Sequence, residues 1–183
     1  MVLLESIQLN HQDKLPDFKL ADPDNVVHLS ESLMGKKGLL IKFTCNHCPY
    51  ALAVWDRFIS LANDAKGLGI TSVAINPNIH PDYPADSPEN MKVFIREKNL
   101  PFPYLVDDTQ EIAKSYHAQC TPDIYLLKPD MTLYYHGRID DNWKDERLVK
   151  NHELKDAIDS LVADKPIPKN QNPSMGCSIK WLH

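Results

Sequence analysis

Cys45-Asn46-His47-Cys48 is the group of residues with the clearest capacity for chemistry. Pro49 follows it and an amphipathic segment begins there, so the pair stands at a helix start. Unpaired backbone N–H groups and the helix dipole favour negative charge at that end, and a thiol placed there becomes a thiolate at neutral pH. A second cysteine one turn on can attack a mixed disulfide formed by the first, releasing the bound partner and closing an intramolecular bond. On this reading Cys45 is the nucleophile and Cys48 the resolver. Proline in the first helical turn costs little, because that amide has no helical partner.

The same spacing supplies half of many zinc sites, which need four ligands. The remaining ligands would have to come from isolated residues such as Cys120, Cys177 or one of the eight histidines, since the chain has no second Cys-x-x-Cys and no His-Glu-x-x-His. Redox chemistry is therefore the expectation, with a metal- or partner-binding module as the contrasting class. No metal and no organic cofactor is expected; Gly-x-Gly-x-x-Gly and phosphate-loop patterns are missing. Lys42 stands just upstream in an otherwise apolar run. Either it lies behind the sulfurs and favours the thiolate, or its stem packs while the ammonium reaches an acidic neighbour or solvent.

The elements that must position the pair follow from periodicity. Lys37 to Phe43 (KGLLIKF) reads as a buried central strand. Pro49 to Ala65 carries Leu52, Trp55, Ile59 and Ala62 at helical spacing and is stopped by Gly67 and Gly69. Ile70 to Asn76 is a second strand, and the proline-dense loop 77–88 follows. Ser87 should cap the next helix, with Pro88 at its first position. That helix runs to about Asn99; PFPYLVDD then gives a short strand and TQEIAKSYH a short helix. DIYLLKP and MTLYYHGRI form a hairpin about a Pro-Asp turn. A last helix is expected from about Asp145 to Ala163, followed by a tail without periodicity. The order βαβαβαββα defines an α/β protein with a central mixed sheet flanked by helices. One domain over residues 1–183 is expected, with 1–25 as an N-terminal extension and 165–183 as a C-terminal tail.

Bulk properties narrow the partners. With 20 Lys+Arg against 25 Asp+Glu the net charge is −5, which offers no broad attraction for nucleic acid. No stretch approaches the roughly 18 uncharged apolar residues of a spanning helix. The opening residues show no secretory signal, so a cytoplasmic location is expected, and four cysteines there suggest transient rather than structural disulfides.

A second motif, Thr121-Pro122, sits directly before a strand, where proline is tolerated only at the first position. CNHC at a strand-to-helix junction, followed by Thr-Pro-Asp opening a strand with a hairpin after it, resembles the thioredoxin superfamily. LPDFKLAD, FTCNHCPYA, CTPDIYLL, GRIDD and GCSIKW together resemble its peroxiredoxin-like (AhpC/TSA- and TlpA/ResA-like) members, which carry an extra helix and strand between the Cys-x-x-Cys helix and the cis-proline strand. The resemblance implies that Pro122 is cis and lies beside the redox pair with Thr121. It also brings Cys120 near the sulfurs as a candidate third thiol, against the plainer reading of a small buried hydrophobe. Cys177 is a further candidate, with nothing local to fix where its tail docks. His47 between the cysteines resembles the more oxidising members, in which the thiolate, and so the reduced form, is stabilised. Trp55, Trp143 and Trp181 read as packing residues and Arg138 as a surface charge.

The implied function is thiol-disulfide exchange with protein thiols and disulfides, drawing on a cellular reductant such as a thioredoxin or glutathione system, by a monomer or homodimer. The alternative is a peroxiredoxin-like thiol peroxidase with Cys45 peroxidatic and Cys48 resolving. Against it, peroxiredoxins use Pro-x-x-x-Thr-x-x-Cys, whereas the residue three before Cys45 is Lys42 and three before Cys48 is Cys45.

Overall fold

The computed structural model describes residues 2–10 and 12–182. Its centre is β4 (Gly38–Phe43), every residue of which is buried. Alternation along β4 sends Leu39, Ile41 and Phe43 to one face, where they pack with Phe18, Tyr116 and Tyr125. Leu40 points to the other face, among Phe58, Leu154 and Leu161. A strand covered on both sides reads as a continuous apolar run, and this is why GLLIKF was recognisable.

β4 pairs in parallel with β5 (Ile70–Asn76) and antiparallel with β8 (Asp123–Leu127). β5 continues in parallel to β6 (Tyr104–Val106), and β8 turns through the Pro-Asp hairpin to β9 (Leu133–Gly137). Two short strands from the N-terminal region, β2 (Lys19–Ala21) and β3 (Val27–Leu29), extend the sheet beyond β6, giving the order β3-β2-β6-β5-β4-β8-β9. Within the expected N-terminal extension, Lys19–Ala21 thus pairs into the sheet.

The helices are α1 (Ser30–Leu33), α2 (Pro49–Ala53), α3 (Trp55–Gly67), α4 (Pro88–Lys98), α5 (Glu111–Ser115) and α6 (Glu153–Val162). The helix expected over 49–65 is two, because Val54 leaves helical geometry at φ −107°, ψ 3°. Ser87 caps α4 as expected, its Oγ accepting from the Asn90 amide at 3.3 Å, with Pro88 following. The last helix begins at Glu153 rather than near Asp145. Asp145 instead caps a single tight turn over Glu146–Leu148, and Asp141 accepts from the Lys150 amide and the Asn151 side chain, drawing those residues away from a helical path. Among the described residues, no helix is long and apolar enough to cross a membrane.

The C-terminal segment departs most from expectation. Its β10 (Met175–Ser178) lies between β1 (Leu3–Glu5) and β7 (Cys120–Thr121) in a separate three-stranded sheet. Cys177 stands opposite Thr121 and Ser178 opposite Cys120. Gly176 makes this approach possible: a Cβ there would lie 1.9 Å from the Thr121 carbonyl oxygen.

Candidate active site: three thiols around Thr121

Cys45 follows β4 by two residues, and Cys48 is the N-cap residue of α2 with Pro49 at the first helical position. The Thr121–Pro122 peptide is cis. Thr121 reaches both members of the pair: its Oγ1 lies 3.3 Å from Cys45 Sγ, and its carbonyl oxygen lies 3.1 Å from Cys48 Sγ, where it accepts the S–H when Cys48 is protonated. Cys177 Sγ approaches Cys48 Sγ to 2.7 Å. All three sulfurs are buried in one small cluster with Ala51, and Tyr50 packs over it. No disulfide joins the four cysteines.

Cys120 lies elsewhere. Neighbouring residues of a strand face opposite ways, so with Thr121 turned to the pair, Cys120 faces Ser6 Oγ at 4.0 Å and the Pro122 carbonyl at 3.8 Å. Burial and nearby Asp123 hold its thiol well above the ordinary value. The third sulfur beside the pair comes from β10.

The charge is also distributed differently from the expectation of a Cys45 thiolate. A hydrogen bond from the Cys45 thiol lowers Cys48 to about 4; burial opposes this, while the Cys177 thiol and the Ala51 and Cys177 amides reinforce it. Burial, the bond to Cys48 and the charge of Asp86 push Cys45 well above its usual range. Burial and Cys48 push Cys177 up to about 12. The thiolate is therefore favoured on Cys48, chiefly through the hydrogen bond it receives from Cys45.

The loop between the cysteines is held by a residue that sequence reasoning missed. Asp86, fully buried, accepts from the Asn46 amide at 2.6 Å, from Asn76 Nδ2 at 3.3 Å and from His47 Nδ1. His47 stacks on Tyr83 with centroids 4.6 Å apart, and Tyr104 donates to Asn46 Oδ1 at 3.1 Å. Asp86 lies in the proline-dense loop, and an acidic residue before a helix cap carries no local sign of its partners. Removing it strands buried donors, each worth about 1–3 kcal/mol. Asp86→Ala is accordingly expected to lower unfolding free energy in urea by about 3 kcal/mol, with Asp86→Asn losing less because its carbonyl still accepts one bond. Equal stability of Asp86→Ala and wild type would contradict this.

Cys45, His47 and Asp86 also bring three metal-ligating atoms within 4.8 Å of one another, fewer than the four of a structural zinc site. Lys42 is fully buried; its Nζ makes no hydrogen bond and lies 3.7 Å from the Trp55 ring centroid. It reaches neither solvent nor a carboxylate, and burial drives its pKa well below the ordinary 10.5, opposed in part by the charges of Cys45 and Cys48. Beside Pro122, a cleft of about 480 Å³ is lined by Val54, Arg138, Trp143, Ser174 and Met175 among others. Trp143 stacks on Tyr50 at its edge, and Arg138 pairs with Glu153 at 2.7 Å. Arg57 is bound to Asp140, so neither arginine is directed to a sulfur.

A Cys-x-x-Cys pair at a strand-to-helix junction, faced by a cis-proline strand of a mixed sheet, places the chain in the thioredoxin-like class. Solved structures agree. An uncharacterized conserved protein from Geobacillus kaustophilus superimposes with a TM-score of 0.94 at 41% identity, over 100% of this chain and 97% of that one. A hypothetical protein from Sinorhizobium meliloti gives 0.91 at 31%, over 97% and 98%. The thioredoxin domain of a thiol-disulfide oxidoreductase from Bacteroides vulgatus gives 0.63 at 16%, over 85% and 99%, which shows the shared fold. Residues 11–136 match the AhpC/TSA family, and the chain belongs to it. No curated protein matches the chain.

Proposed function

We propose that this protein exchanges disulfides with protein thiols through Cys45 and Cys48, with Pro122 and Thr121 forming the wall against which the partner sulfur is presented. The carrying observation is that both sulfurs lie against Thr121, Cys45 Sγ at 3.3 Å from its Oγ1 and Cys48 Sγ at 3.1 Å from its carbonyl oxygen, directly before Pro122. The Cys45 proton shifts along its hydrogen bond to Cys48, and the Cys45 thiolate so formed attacks a partner disulfide, expelling one partner thiolate. Cys48 then loses that proton to the leaving partner and attacks Cys45 Sγ in the mixed disulfide. The partner leaves reduced and a Cys45–Cys48 disulfide remains. A cellular thiol reductant of the thioredoxin or glutathione type would reopen it. The cleft beside Pro122 is the natural seat for the partner chain. In a cytoplasmic location the cellular thiol pool would keep these cysteines reduced between turnovers.

A thiol peroxidase is the second reading, favoured by membership of the AhpC/TSA family. The local residues support it less, since Lys42 occupies the position where peroxiredoxins have threonine and the side chains of Arg57 and Arg138 are committed to carboxylates.

Cys48→Ser is expected to accumulate partner proteins disulfide-linked through Cys45 in reduced cell extract, at least tenfold above wild type, because the resolving step is gone. Cys45→Ser should trap none by that route. Rapid hydroperoxide consumption by the reduced wild type, lost in Cys45→Ser and unaccompanied by reduction of a protein disulfide, would replace this reading with the peroxidase. A stoichiometric metal ion in protein purified under reducing conditions would replace it with a binding module.

A further inference from the structure

We infer that Cys177 is a third redox-active thiol, which takes over the disulfide from the Cys45–Cys48 pair by exchange at Cys48. The inference rests on the disulfide-exchange reading above and extends it from two sulfurs to three.

The fold brings Cys177 to this position by specific means. β10 is 129 residues along the chain from Cys48, and its antiparallel register against β7 sets Cys177 opposite Thr121, the residue whose side chain and carbonyl touch the other two sulfurs. Gly176 lets the strand close on Thr121 where a Cβ would collide with its carbonyl oxygen. The resulting Sγ–Sγ separation of 2.7 Å is inside van der Waals contact for two sulfurs and closer than the approach of either Cys45 or Cys48 to Thr121. Cys48 is thereby the shared central sulfur, flanked by Cys45 from the preceding loop and by Cys177 from β10.

The exchange balances within the protein. Starting from the Cys45–Cys48 disulfide, Cys177 Sγ attacks Cys48 Sγ; the Cys48–Cys177 bond forms and the Cys45–Cys48 bond breaks. Cys45 leaves as a thiolate and takes up the proton that Cys177 gives up. No electrons enter or leave, so no further oxidant is needed. With Cys48 in a disulfide its negative charge is gone, and with it one of the causes that keep Cys177 protonated in the reduced protein. The product frees Cys45 as a thiol beside His47 and Asp86, ready for another partner while the oxidising equivalents are stored on β10.

Tryptic mapping separates the two disulfides, because Cys45 and Cys48 share the peptide 43–57 whereas Cys177 lies in 170–180. The full-length protein is equilibrated in glutathione redox buffers, quenched by alkylation and digested. Wild type is expected to yield both the internal disulfide of 43–57 and a 43–57/170–180 cross-link alkylated at Cys45. Cys45→Ser should retain the cross-link; Cys177→Ser should lose it and keep the internal disulfide. Gly176→Ala, which keeps all three thiols but forces β10 off Thr121, should also lose the cross-link and keep the internal bond. A wild type that forms only the internal disulfide, together with a Cys45→Ser variant that stays reduced at the same poise, overturns the relay while leaving the two-cysteine reading intact. A wild type that forms neither bond overturns both.

Discussion

Equilibrated against glutathione at pH 7, the Cys45–Cys48 couple is expected to be half-oxidised at a potential above the about −270 mV of thioredoxin. The reduced state owes this to Cys48, lowered to about 4 by hydrogen bonds from the Cys45 thiol, the Cys177 thiol and the Ala51 amide against the opposing effect of burial. Thioredoxin holds its reactive thiol near pKa ≈ 7 and its couple near about −270 mV. A thiolate formed at lower pH favours the reduced form and so raises the potential, about 30 mV corresponding to about 1.4 kcal/mol for two electrons. The pH dependence supplies an independent reading. With one sulfur already ionised, reduction takes up a single proton, so the potential should fall by about 30 mV per pH unit above the Cys48 pKa and about twice as steeply below it. The sign for stability follows from the lowered pKa: Cys48 stabilises the reduced fold fully above its unfolded value and loses that contribution as pH falls through about 4. A potential at or below that of thioredoxin, or a slope of about 60 mV per unit across neutral pH, would show that no thiolate persists in the reduced protein.

The parts of this site that were legible in the sequence are those whose determinants are local. A cysteine pair after a buried strand, a proline opening a strand, and a serine-proline helix start each carry their own short-range cause. Asp86 and Cys177 were not legible in that way. Asp86 acts through the fold of a proline-dense loop that returns it to the Asn46 amide, and nothing about its neighbours marks that destination. Cys177 belongs to a four-residue strand, MGCS, too short to show alternation, whose existence depends on β1 and β7 flanking it. Strand parity also decided between Cys120 and Cys177 as the third sulfur: once Thr121 faces the pair, its predecessor faces away and its cross-strand partner faces in. The placement of the negative charge had the same origin. The helix start at Pro49 was foreseen, but the shifts on Cys45 and Cys48 depend also on Asp86 and Cys177, whose proximity no local pattern displays.

Lys42 was conspicuous in sequence, but its surroundings were not, and they lead to the second large effect. Lys42→Met is expected to remove a pH-dependent penalty on folding. The side chain is fully buried with Nζ against the Trp55 and Phe58 rings and no hydrogen-bond partner, so burial drives its pKa well below the ordinary 10.5. An attractive ring face offsets only part of that cost. A base with a lowered folded pKa is bound to more protons in the unfolded chain, and stability attributable to it therefore rises with pH between the folded pKa and about 10.5, by about 1.4 kcal/mol per unit. Methionine has no such proton, and its flexible thioether fills a similar volume. The stability difference between Lys42→Met and wild type, measured by urea unfolding, should thus favour the variant at neutral pH and shrink at about that slope as pH rises; the other titrating groups cancel in the difference. Redox state should move the window. The sulfur charges oppose the effect of burial on Lys42, so forming the disulfide withdraws them, lowers the Lys42 pKa further and extends the slope to lower pH in the oxidised protein. A difference that is flat with pH in both redox states would show that Nζ finds water or a carboxylate in solution.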